Sequence, residues 1–104
     1  MTRILYEPKK FRLSMNGHAG AAPKGQDLVC AGLSTLWATL EENLTEDRET
    51  VNALQPYFVL GEGSASVECN PRDIRKCTEI FRVICTGFRI LSEHYPENVS
   101  YTEY

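Results

Sequence analysis

Four cysteines and two histidines carry most of the reactive chemistry in this 104-residue chain: Cys30, Cys69, Cys77, Cys85, His18 and His94. The cysteines lie 39, 8 and 8 residues apart, with no CxxC and no Cys/His pairing of the zinc-finger kind. Cys77 and Cys85 fall on an apolar helical stripe, and Cys69 falls on the inward side of an alternating strand. Those three read as core, where a free cysteine behaves as a small hydrophobe. Cys30 does not. It follows a polar loop and is expected in the first turn of a helix capped by Asp27. That places it off the Val29-Leu33-Leu36 stripe, on the face shared by Asp27, Ser34 and Trp37. A helix start favours a thiolate and can hold an oxyanion, although the carboxylate of Asp27 opposes the first effect. His18 stands at the other end of the loop, where a strand runs out. A base at a strand end and a thiol at a helix start make the pair that nucleophilic catalysis needs. The same residues also describe a surface histidine beside a half-buried cysteine.

The elements that would position this pair follow from periodicity. Arg3 to Glu7 is short and β-rich, and the turn signal Glu7-Pro8-Lys9-Lys10 leads into alternation with Phe11, Leu13 and Met15 on one face. These two runs read as a hairpin. Gly17 to Gln26 is rich in Gly and Ala with Pro23 among them, so it reads as a loop and a candidate lid. From Asp27 the period becomes helical, with Val29, Leu33, Leu36, Leu40 and Leu44 in one stripe and Thr45 to Glu49 as a charged exit. Val51 to Leu60 reads as extended, with Pro56 confining its first part to an edge. Gly61-Glu62-Gly63 turns into the alternating run Ser64 to Cys69. Asn70 caps and Pro71 opens a second helix that runs to about His94. Its stripe is Ile74, Cys77, Phe81, Ile84, Cys85, Phe88, Leu91 and Tyr95. A last extended piece spans Val99 to Thr102. The fold class expected is α+β: strand-strand-helix-strand-strand-helix in two layers, a four-stranded, mostly antiparallel sheet with two helices on one face. Ile80, Val83, Gly87 and Ile90 flank the second stripe and suggest a homodimer face.

Composition bounds the function. Hydrophobic residues are 42% and charged residues 24%, and one domain over 1–104 is expected. The longest uncharged run, Leu28 to Leu40, has 13 residues, too few to span a bilayer. The stretch before Leu13 has no apolar block and no small-residue cleavage site, so it is not read as a signal peptide. A net charge of −3 argues against direct nucleic-acid binding. Reduced thiols and a cytoplasmic setting are expected.

Gly17-His18-Ala19, a loop, and then Gly25-Gln26-Asp27-Leu28-Val29-Cys30-Ala31-Gly32-Leu33-Ser34 resemble the signature of the ribosomal-processing cysteine protease family, Prp (YsxB-like). The resemblance covers nearly the whole chain, including the closing Tyr95-Pro96-Glu97-Asn98-Val99. It implies Cys30 as nucleophile, His18 as general base and acid, and Asp27, Gly17 and Ser34 in orienting the dyad or the substrate. It implies a homodimer that cuts an N-terminal extension from a large-subunit ribosomal protein after an aromatic pair, with no cofactor or metal. Thr45 to Val51 departs from the family pattern and is expected to shape peptide specificity.

Three other readings compete. In a non-enzymatic homodimeric interaction module, the 17–26 loop would bind a peptide and Cys30 would be an ordinary thiol. A redox sensor at Cys30 would need a resolving cysteine, and the other three read as core. A zinc enzyme would have to use His18, Asp27 and Cys30, a set at no recognised zinc spacing.

Overall fold

The computed structural model describes the backbone of residues 1–17 and 24–104, and the side chains of 1–17 and 28–104. Strand β1 (Thr2–Glu7) passes through a 3-10 turn at Pro8–Lys10 into β2 (Arg12–Asn16). Phe11 takes the left-handed conformation at the corner, φ 46°, with its N–H on the Pro8 carbonyl. Helix α1 (Lys24–Leu44) is followed by α2 (Arg48–Leu54), β3 (Pro56–Gly61), β4 (Ser64–Cys69), α3 (Ile74–His94) and β5 (Val99–Glu103). The strands form one sheet in the order β3-β4-β2-β1-β5. All neighbours are antiparallel except β1 and β5, which run parallel with Thr2 opposite Val99.

The expected fold class is thus right in its layers and short in its count. Val99 to Thr102 does extend, and by pairing with β1 it makes the sheet five-stranded rather than four-stranded. A parallel partner 97 residues away leaves no local turn signature in the sequence. The third helix, α2, replaces the first half of the expected extended run Val51 to Leu60. Asp47 caps it, accepting from the Thr50 N–H at 2.7 Å, and Gln55 ends it in the left-handed region with φ 49°. Thr50 and Leu54 are its buried residues. The β-branched Thr50 and Val51 mimic a strand, and a seven-residue helix is too short for periodicity to outweigh them.

Helix starts also differ from expectation. The cap of α3 is Asp73, which accepts from the Lys76 N–H at 3.0 Å, and not Asn70. Asn70 and Pro71 instead belong to the turn, where the N–H groups of Arg72 and Asp73 both donate to the Ala53 carbonyl. Helix α1 begins at Lys24, so Gly25 and Gln26 are helical and Asp27 sits inside the helix rather than capping it. Gly25 misleads because glycine normally punctuates loops. Near a helix start it forgoes little, since the first N–H groups have no intrahelical partner.

Both long helices pack on one face of the sheet. Inward-facing Thr2, Ile4 and Tyr6 of β1, Leu13 of β2 and Val67 of β4 meet Leu33 and Leu40 of α1 and Phe81, Ile84 and Phe88 of α3. Phe81 is the hub, stacked on Tyr6 at 5.3 Å between ring centroids and tilted against Phe11 at 6.3 Å. Cys69, Cys77 and Cys85 are all buried, as their positions on the apolar stripes require. Phe11, Met15 and Leu36 pack on the core from its margin. Ile74 and Tyr95, at the two ends of the α3 stripe, reach solvent instead.

Candidate active site

The four thiols sort into one partly exposed and three buried, and the partly exposed one is Cys30. It is the seventh residue of α1, in the second turn rather than the first. Its backbone N–H is therefore inside the i→i−4 ladder, and the N–H groups that precede that ladder belong to Lys24 to Asp27. The expected oxyanion site on helix-start N–H groups around Cys30 is not what this geometry offers.

Cys30 opens instead onto a cavity of about 280 Å³. Helix α1 contributes Cys30, Leu33 and Ser34, and the sheet contributes Met15, Ser64 and Ala65, with Gly17 and Gly63 at the rim. The arrangement follows from register: Met15 lies opposite Ala65, both on the helix-facing side where β2 and β4 pair. Leu33, Met15 and Ala65 give this cavity an apolar floor, while the hydroxyls of Ser34 and Ser64 give it hydrogen-bonding edges. Ser34 is one turn beyond Cys30 and exposed. Trp37, on the same helix face by sequence, is 8% exposed and meets Phe58 of β3 edge-on at 6.4 Å. The face that carries Cys30 therefore turns down onto the β3–β4 hairpin, which is why the thiol is half-buried beside β4.

Gly17 fixes where the chain leaves β2 for the His18 segment. Its φ is 111°, its N–H donates to the Gly63 carbonyl at 2.9 Å, and a Cβ there would collide with the Met1 carbonyl oxygen. Only glycine fits. The residue before His18 is thereby pinned to the cavity rim that Cys30 shares. His18 itself, the 18–23 part of the proposed lid and the Asp27 side chain lie outside the described residues.

Thr45 to Val51 does not border this cavity. That segment follows the far end of α1, and 14 residues separate Cys30 from Leu44, which at 1.5 Å per residue is about 20 Å. Any part it has in peptide specificity is therefore played outside the cavity at Cys30. Ser64 and Ala65, which line the groove from β4, carry no sequence mark beyond strand alternation. The Gly61-Glu62-Gly63 turn was the available signal, since it brings the start of β4 back beside the end of β2.

Comparison with known proteins agrees with this architecture. No curated protein matches the chain. A crystal structure of a ribosomal processing protease Prp from S. aureus, with a covalently linked product peptide, superposes with a TM-score of 0.79 at 18% identity. That match covers 100% of each chain. A second S. aureus Prp structure, with a substrate peptide, gives 0.74 at 18% identity and covers 99% of this chain and 97% of the other. SMU.848 from Streptococcus mutans gives 0.71 at 23% identity, covering 98% and 90%. At these identities the likeness establishes the fold. The sequence pattern of the family described as cysteine protease Prp matches residues 2–100, nearly the whole chain, and the chain belongs to that family.

Proposed function

We propose that this cysteine protease hydrolyses a peptide bond with Cys30 as nucleophile and His18 as general base and acid. The observation that carries the assignment is the sorting of the thiols: Cys30 alone of the four is not buried, and it lines the cavity whose rim holds Gly17. In the first step the Cys30 sulfur attacks the scissile carbonyl carbon while His18 protonates the leaving amine. Water, deprotonated by His18, then attacks the thioester and releases the acid product. Ser34, which lines the same cavity, hydrogen-bonds the substrate carbonyl in this reading. Asp27, inside the first turn of α1, orients the dyad or the substrate backbone.

The substrate proposed is the N-terminal extension of a large-subunit ribosomal protein precursor, cut after an aromatic pair in the cytoplasm. Its support is the family, together with the S. aureus relatives described as ribosomal processing proteases. The cavity floor of Leu33, Met15 and Ala65 suits an apolar side chain next to the scissile bond. We propose a homodimer as well, through a narrower seam than periodicity suggests. Ile80 packs on the core and Gly87 is covered by Leu36 of α1, leaving Val83 and Ile90 exposed. Sedimentation at micromolar concentration is expected to show a dimer, and a monomer alone would refute it.

Cleavage of an N-terminally extended ribosomal protein by purified variants tests the function. Cys30→Ala is expected to abolish it and His18→Ala to fall nearly as far, because nucleophile and base act as a unit. Full cleavage by Cys30→Ala would overturn the assignment.

A further inference from the structure

The cavity at Cys30 has one more lining residue, Thr2 of β1. The backbone of Thr2 is well held: its N–H donates to the Asn98 carbonyl at 2.8 Å, and it stands opposite Val99 in the parallel β1–β5 register. Its side chain points to the helix-facing side of the sheet, like those of Ile4 and Tyr6. Gly17 lies beside it, since a Cβ built on Gly17 would come within 3.4 Å of the Thr2 Cα. Glycine brings no side chain to cover the Thr2 hydroxyl.

Among the described residues, Thr2 and Thr50 are the buried polar ones, and their hydroxyls differ. That of Thr50 accepts from the Lys76 ammonium at 3.4 Å. The helical threonines Thr35, Thr39, Thr78 and Thr86 each donate to the carbonyl one turn back. The Thr2 hydroxyl has no hydrogen bond to any described residue. Yet no side-chain oxygen sealed from solvent lacks a partner among those residues. The Thr2 hydroxyl must therefore touch open space, although the residue is only 3% exposed, and the cavity it lines is the one at Cys30. Depth separates it from the reacting atoms. Ser34 is exposed and Cys30 partly exposed, so the nucleophile lies toward the mouth and Thr2 toward the closed end. With the scissile bond at the sulfur, the substrate group that reaches Thr2 is a side-chain tip. The floor of Leu33, Met15 and Ala65 is apolar, and about 280 Å³ exceeds the roughly 150 Å³ that holds a benzene ring.

We propose that this cavity is a subsite for a tyrosine side chain immediately before the scissile bond, an inference that rests on Cys30 being the protease nucleophile. The ring lies on the apolar floor and the phenol hydrogen-bonds the Thr2 hydroxyl. Thr2 is then a specificity residue: it narrows the aromatic pair to one whose second member carries a hydroxyl. Phenylalanine would fill the same space and cover the Thr2 hydroxyl without replacing the hydrogen bond that solvent gives it. A site that hydrogen-bonds a substrate hydroxyl discriminates against the analogue lacking it for this reason.

Two peptides that differ only in Tyr or Phe before the scissile bond test this on the full chain, Thr2→Val and Thr2→Ser. Valine keeps the branched shape of threonine and removes the hydroxyl. The unsubstituted chain is expected to favour the Tyr peptide in kcat/KM by about fivefold or more. Thr2→Val is expected to bring that ratio to about one, and Thr2→Ser to keep the preference. No preference in the unsubstituted chain, or the same preference in Thr2→Val, would overturn the proposal. The urea midpoint of Thr2→Val is expected to hold or rise; a fall would show that the hydroxyl serves the fold, and would overturn it too. Calorimetric binding of the same peptides to the Cys30→Ala chain reads the subsite without the chemistry. Tighter binding of the Tyr peptide, lost when Thr2→Val is added, is expected. Equal binding of the two, or none, would overturn the subsite while Cys30-dependent cleavage kept the protease reading. Preferential binding without cleavage by the unsubstituted chain would support the subsite and count against the protease reading alone.

Discussion

Cys30 and Gly17 show how single residues set this site. Cys30 was separable from the other cysteines in the sequence because apolar stripes claim Cys69, Cys77 and Cys85, and all three are buried. The same reasoning puts Trp37 on the Cys30 face without indicating that it is buried. A helix in two-layer packing buries more than one narrow stripe, and an indole seven residues beyond Cys30 reaches the β3–β4 hairpin. Gly17 was legible only as part of a motif; its reason, a positive φ against the Met1 carbonyl, exists only in three dimensions. Gly17→Ala is accordingly expected to lose at least about 1 kcal/mol of stability and to reduce peptide cleavage by displacing the start of the His18 segment. Chemical unfolding and a cleavage assay on the same preparation measure both. Unchanged values in both would show that Gly17 is not the pivot described. Asp27 also changes meaning. Its backbone lies inside α1 rather than at a cap position, and an acidic residue in a first turn is favoured by the helix dipole, so Asp27→Ala is expected to cost about 0.3–1 kcal/mol.

At the scale of elements, long periodic segments were legible and short or non-local ones were not. Helices α1 and α3 are 21 residues long each, and their apolar stripes run for several turns, enough for burial to outweigh local preference. The seven-residue α2 depends on its Asp47 cap and on the Gln55 terminator, whose left-handed φ no propensity indicates. Strand β5 is fixed by its parallel partner β1, a contact that sequence patterning near Val99 cannot supply. What holds these elements together is concentrated at Phe81, fully buried between Tyr6 and Phe11. Phe81→Ala is expected to cost about 3–5 kcal/mol, measured by urea unfolding. A loss below about 1 kcal/mol would mean that α3 does not depend on that stack.

The whole molecule has a predictable response to alkali. Burial pushes the Cys85 thiol from 9.0 up to about 11, and burial raises the hydroxyls of Tyr6 and Tyr101 as well. A raised acid means that the folded chain binds more protons than the unfolded chain once pH passes the unfolded value. Stability is therefore fully present below about pH 9 and declines above it as the folded state is driven to ionise buried groups. The urea midpoint is expected to be lower at about pH 10.5 than at about pH 8, and a rise would contradict the burial of these groups. In the proposed reaction, one thiol of four does the peptide chemistry. The most direct measurement is inactivation by a peptide chloromethyl ketone that carries an aromatic pair, followed by mass mapping of the adduct. Activity is expected to fall in step with a single adduct on Cys30. Loss of activity with Cys30 unmodified, or full activity with Cys30 alkylated, would contradict the account.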